Sequence, residues 1–220
     1  MVQPDEIIRS KRKTLSISID GMGRLIVRAP KSFSEERIFA FLKEKEGWIV
    51  KKQAERKGAG IQLPPENLHG YTLLLLGEQY TISLYEGQKI GLDSERKILF
   101  LPTVKTEERL KKWLKENALR ITEKVTEARA KEMNAKYRSV AISPARTRWG
   151  VCTHDNALRY SYRLLYVPKD VLDYVVVHEL AHTKHKDHSK RFWAEVEAYV
   201  PDWKIKRKWL KTHGGLMQLF

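Results

Sequence analysis

His178 and His182 stand four residues apart in PKDVLDYVVVHELAHTKHKDHSKRFW, with Glu179 directly after the first of them. On a helix that spacing puts both imidazoles on one face, close enough to share one metal ion. Glu179 can then take a proton from a metal-bound water without itself being a ligand, which is the division of labour a zinc hydrolase requires. Three protein ligands and one open position are usual for a catalytic zinc, so one more side chain must come from outside this turn. His185 continues the same face, but a helix running on would carry it about 10 Å along the axis from His178. His188 follows Asp187 and precedes Ser189, residue types that end one helix and cap another, so the chain can turn back there and present it. The resulting H-E-x-x-H-x5-H has the ligand spacing of known zincin motifs, with His185 in the place of the usual metzincin glycine. Glu195 or Glu197 remains the alternative third ligand. The expected cofactor is one Zn2+ per chain, with other divalent transition metals possible because imidazole suits several of them.

Other residues carry weaker signals. Arg146 and Arg148 are tentative substrate-binding residues, since a guanidinium offers a planar fork of donors to carboxylate or phosphate. A structural arginine stacked on Trp149 competes with that reading. Cys152 reads as a small buried hydrophobe rather than a ligand. Tyr160, Tyr162, Tyr166 and Tyr174 invite an oxyanion-donor role, yet most read as packing residues. Phe192 and Trp193 are expected to anchor the helix after His188, and His154 and His213 to lie on the surface.

These residues must be held by surrounding elements. TLSISI (14–19) and RLIVRAP (24–30), joined by DGMG, read as a β-hairpin. The segment opening at Ser34 and ending near Gly58 reads as one amphipathic helix. YTLLLLGEQYTISLYEG and KIGLDSERKILFLP look like paired strands, and from about 105 to 136 a charged helical pattern places Leu110, Trp113, Leu114, Leu119 and Ile121 inward. Short apolar segments at 139–143 and 158–167 precede Pro168 and the histidine helix. The fold class expected is α+β, with a β-rich N-terminal region at 1–104 carrying one helix and a zincin-like hydrolase domain at 105–220.

Around the histidines the chain resembles the YgjP-like family of metal-dependent hydrolases, relatives of the SprT-like zincins. RWGVC (148–152), LRYSYRLLYVP (158–168), DYVVVHELAH (173–182), HSKRFW (188–193) and PDWKIKRKWL (201–210) fall in the family's order and spacing. The resemblance is strongest from about 140 to 210 and looser through RSKRKTLSISI. It implies His178, His182 and His188 as ligands and Glu179 as catalytic base. Val151 stands where the family usually has Ser, and Ser161 where it commonly has Asn, so substrate contacts through those two positions are not carried over. The resemblance fixes the metal site better than the reaction.

Composition bounds the partners. Lys plus Arg number 42 against 27 Asp plus Glu, a formal net charge of +15 that favours anionic partners. One cysteine excludes an internal disulfide framework, and MVQPDEIIRSKRK lacks the apolar stretch of a secretory signal, so a cytoplasmic location is the default expectation. No apolar run approaches the ~20 residues that cross a bilayer, so no membrane is expected. Three functions compete. The first is a zinc peptidase acting on peptides. The second is a nucleoside triphosphate pyrophosphohydrolase using the same site on an anionic small molecule, without any P-loop. The third is a basic nucleic-acid-associated protein carrying a zinc site, against which stands the usual closed, cysteine-rich ligand set of structural zinc.

Overall fold

The computed structural model describes residues 2–57 and 60–220. By contacts the chain divides into two compact units, one of residues 2–63 with 211–218 and the other of 64–210 with 219–220.

In the first unit, β2 (Ser16–Ile19) and β3 (Leu25–Pro30) form the expected antiparallel hairpin, turned at Gly23, whose φ of +83° suits a residue without a Cβ. β1 (Glu6–Ser10) pairs parallel to β3 on its other side, giving the order β1-β3-β2. The expected single helix is two: α1 (Glu35–Glu44), capped by the Ser34 side chain, and α2 (Glu46–Lys57), interrupted only at Lys45. Ile38 and Leu42 of α1 and Ile49 of α2 pack on Leu25, Val27 and Ala29 of the sheet, so both helices serve one core. The expected end at Gly58 lies outside the described residues.

The second unit starts with a four-stranded sheet of order β4-β5-β7-β6, made of β4 (Thr72–Leu75), β5 (Glu78–Tyr85), β6 (Gly91–Asp93) and β7 (Ile98–Pro102). α3 (Thr106–Glu132) follows β7 after a short turn and buries Leu110, Leu114, Ala118, Thr122, Thr126 and Ala130 along one face. The hydroxyls on this face are satisfied: Thr122 Oγ1 donates to the Ala118 carbonyl at 2.7 Å, and Thr126 Oγ1 to Tyr160 Oη at 3.3 Å. The change of character near 105 is therefore the step from β7 into α3. By contacts the division falls after Leu63, and β4–β7 pack with the helices that follow them in sequence.

A second sheet of order β8-β10-β9 comes next: β8 (Ser139–Ser143) runs parallel to β10 (Ala157–Ser161), and β9 (Gly150–Cys152) is antiparallel to β10 and outermost. A 3-10 helix at Tyr162–Tyr166 leads into α4 (Lys169–Ala181), which is followed by α5 (Lys190–Tyr199) and α6 (Trp203–Thr212). α4 is apolar on nearly every side, burying Val171, Leu172, Tyr174, Val175, Val176, Val177, Leu180 and Ala181, as a helix inside a core must be. Arg129 of α3 grips Asp173 of α4 with two charge-assisted bonds, Nε to Oδ1 at 2.8 Å and Nη2 to Oδ2 at 2.5 Å, which fixes the helix along its axis. The architecture is α+β, strands dominating the N-terminal half and helices the C-terminal half. Among the described residues no helix is long and apolar enough to cross a membrane.

Candidate active site

α4 carries His178 in its last turn and stops at Ala181, with His182 as its C-cap. Lys184 and His185 both donate backbone N–H groups to the Ala181 carbonyl, so the chain folds over the helix end instead of continuing it. Asp187 Oδ1 accepts the Ser189 N–H at 3.2 Å, and Ser189 Oγ accepts the Phe192 N–H at 3.5 Å, capping α5. The residue just before that cap is His188, which is thereby turned back toward α4.

The three histidines converge. One ring nitrogen from each lies within 4.8 Å of the others, and His178 Nε2 stands 3.3 Å from His188 Nε2. Two nitrogens each about 2.0–2.1 Å from a tetrahedral ion are about 3.3–3.4 Å apart, so this spacing is the one a shared ion needs. His182 Nδ1 donates to the His185 carbonyl at 2.9 Å, a bond that fixes the tautomer and leaves the Nε2 lone pair for a metal. His178 Nδ1 is buried with no hydrogen-bond partner among the described residues. Burial first, then the neighbouring His182 and His188 and the Arg207 charge, pushes His178 down to about 3, and burial also lowers His182. Both shifts favour the neutral imidazole, the form that can bind a metal ion. Phe192, fully buried, stacks under the His182 ring at 4.4 Å and holds it in place. The donor set fits a divalent ion.

Glu179 is 6 % exposed, and burial pushes its carboxyl up to about 8, a rise opposed by a hydrogen bond from the Cys152 backbone. This is the behaviour of an acid in an apolar pocket, and a dication nearby would favour the carboxylate instead. The close approach of β9 depends on Gly150: a Cβ there would fall 2.7 Å from both Glu179 Cγ and Oε1. Gly150→Ala is accordingly expected to displace the carboxyl and lower hydrolysis by about 10²-fold with metal content unchanged. Kinetics and metal analysis on the same preparation check this. A cleft of 180 Å³ opens here, lined by Trp149, Gly150, Tyr174, Val175, His178, Glu179 and Leu210. Tyr174 is held up to about 12 by burial, so its hydroxyl stays protonated and able to donate.

The remaining sequence candidates take other places. Arg146 and Arg148 are exposed and are not among the residues lining the cleft. Glu195 bonds Lys184 at 2.7 Å, and neither it nor Glu197 joins the histidine cluster. Ser161 is buried, with Oγ donating to the Ala145 carbonyl at 3.1 Å and accepting from the Arg163 N–H at 3.3 Å, which makes it a turn-forming residue. Val151 pairs with Arg159 in β9, and Tyr160, Tyr162 and Tyr166 are core residues. Cys152 is half-buried, its thiol raised chiefly by desolvation and 3.6 Å from Lys186 Nζ.

Sequence reasoning overlooked Gly150, the His185 carbonyl and two lysines that tie down the loop between His182 and His188. Lys184 Nζ donates to the Met133 carbonyl at 2.5 Å, and Lys186 Nζ to Asn156 Oδ1 at 2.5 Å and the Thr153 carbonyl at 3.0 Å. Their acceptors lie far away in sequence, so no local pattern marks them.

Against known proteins, the family model described as YgjP-like, metallopeptidase domain, matches residues 13–213. No curated protein matches the chain. Among solved structures it is similar to the crystal structure of the metallopeptidase zymogen of Pyrococcus abyssi abylysin, at 24% identity and a TM-score of 0.39, over 41% of this chain and 92% of that one. With nearly its whole length matched by the family model, the chain belongs to the YgjP-like metallopeptidase-domain family and is a metal-dependent hydrolase.

Proposed function

We propose that this chain is a zinc peptidase in which His178, His182 and His188 hold the ion and Glu179 acts as general base. The observation that carries the reading is the convergence of three imidazole nitrogens within 4.8 Å beside one buried carboxyl. When bound, zinc supplies Lewis acidity that polarises a carbonyl and acidifies water. Glu179 takes the proton of the attacking water and returns it to the departing amine. The Cys152 backbone N–H and the bare face of Gly150 keep its carboxyl aimed, while the apolar walls of Trp149, Val175 and Leu210 exclude bulk water. Tyr174 offers a protonated hydroxyl to charge developing on the substrate oxygen.

A peptide substrate suits β9, one of the two edge strands of its sheet, because an extended chain can pair with that edge and would pass Gly150 and Glu179. A nucleoside triphosphate has less to hold it, since the cleft lining supplies one histidine, one acid and no lysine or arginine. The test is a hydrolysis screen of peptides and nucleoside triphosphates with zinc-loaded protein, repeated after chelation. Chelator-sensitive peptide cleavage supports the reading. Cleavage of triphosphates with peptides left intact replaces it by the pyrophosphohydrolase alternative.

A further inference from the structure

Of the five cations on α6, three have different fates. Lys206 is neutralised by Asp170 and by Asp202, the latter at 2.9 Å. Lys204 lies over the Trp203 ring at 5.5 Å. Arg207 is exposed, forms no ion pair among the described residues, and sits over the Trp193 ring with Cζ 5.1 Å from its centroid. Trp193 is itself in ring contact with the ligands, 5.6 Å from His188 and 5.7 Å from His178, and is backed by Trp203 at 4.0 Å. One helical turn further on, Leu210 of the same helix lines the cleft.

Resting on the peptidase reading above, we propose that Arg207 is a specificity-determining residue that binds a carboxylate of the peptide substrate, either the terminal carboxylate or an acidic side chain beside the residue occupying the apolar cleft. A guanidinium drawn to an indole face by cation–π attraction keeps N–H donors for a carboxylate taken by two parallel bonds. The cleft lining itself holds no lysine or arginine, so a carboxylate on the substrate must find its cation beside that lining, where Arg207 stands one turn from Leu210. Among the described residues Arg207 has no ion-pair partner, whereas Lys206 has two.

The test is equilibrium binding to zinc-loaded Glu179→Gln protein, which holds the peptide without cleaving it. One sequence is offered in three forms: with a free terminal carboxylate, amidated, and amidated with an added Asp. Calorimetry is expected to show one or both carboxylate forms binding about tenfold tighter than the neutral peptide, with Arg207→Gln erasing the preference. Arg207→Lys keeps part of it, and Lys204→Gln, which removes an equal charge from the same helix, leaves it intact. Equal binding of all three forms overturns the proposal alone, as does a preference that survives Arg207→Gln or falls equally with Lys204→Gln. Failure of every form to bind zinc-loaded protein overturns the peptidase reading and this proposal together.

Discussion

Glu179→Gln is expected to lower peptide hydrolysis by about 10²–10⁴-fold while the protein keeps one metal ion per chain. The amide has the shape of the carboxyl and fits beside Gly150, where there is no room for a larger group, so the variant should fold and load as the parent does. It cannot take a proton from water at ordinary pH, which removes the one function assigned to the side chain. The burial that raises this carboxyl to about 8 penalises its ionised form, so an uncharged amide there costs no desolvation that the acid avoids. Kinetics with peptide substrate, run beside metal analysis and thermal unfolding, separates the chemistry from folding. Activity within tenfold of the parent would remove Glu179 from the base role.

Arg163→Met is expected to destabilise the second unit by on the order of 3–5 kcal/mol, lowering the unfolding midpoint by about 10 °C. The side chain is 1% exposed, and its donors are spent on carbonyls from two distant segments: Nε to Leu219 at 2.7 Å and Nη2 to Phe220 on one side, Nη1 to Pro144 at 3.0 Å on the other. Its Cζ also lies over the Tyr162 ring at 4.4 Å. Methionine replaces the volume without replacing any donor, so those carbonyls are left in the interior with fewer partners. Burial already lowers the affinity of Arg163 for its proton, which shows how costly this charge is to hold and why its hydrogen bonds matter. Because Arg163 sits in the 3-10 helix between β10 and α4, the loss loosens the entry to the helix that carries the histidines. Differential scanning calorimetry checks it, and a midpoint within about 2 °C of the parent would contradict the account.

How much of this was legible beforehand follows from how far apart the interacting residues lie. His178, His182 and Glu179 share one helical turn, and the Asp187–Ser189 pair announces the cap that returns His188, so the histidine cluster is written in eleven consecutive residues, 178–188. The β2–β3 hairpin and α3 follow in the same way from local turns and periodicity. β1 was missed because its partner is β3, reached by parallel pairing across the hairpin. The approach of Gly150 and Cys152 to Glu179 depends on sheet pairing with β10 and on its packing against α4, neither of which leaves a local pattern. The change near 105 and the contact division after Leu63 differ for a related reason: composition reports where strand gives way to helix, while contacts decide which elements share a core. Arg146 and Arg148 are candidates in the sequence because a guanidinium offers a planar fork to an anionic group, and in the fold they lie outside the cleft lining.

The central claim is a metal centre built from three histidines, and the most direct measurement is metal content of the purified chain beside His188→Ala, by elemental mass spectrometry after dialysis against zinc. The account predicts one zinc per chain in the parent and a clear loss in His188→Ala, since removing the only ligand contributed from beyond α4 leaves two imidazoles. A parent without stoichiometric metal, or a His188→Ala variant that holds zinc as tightly as the parent, would contradict it.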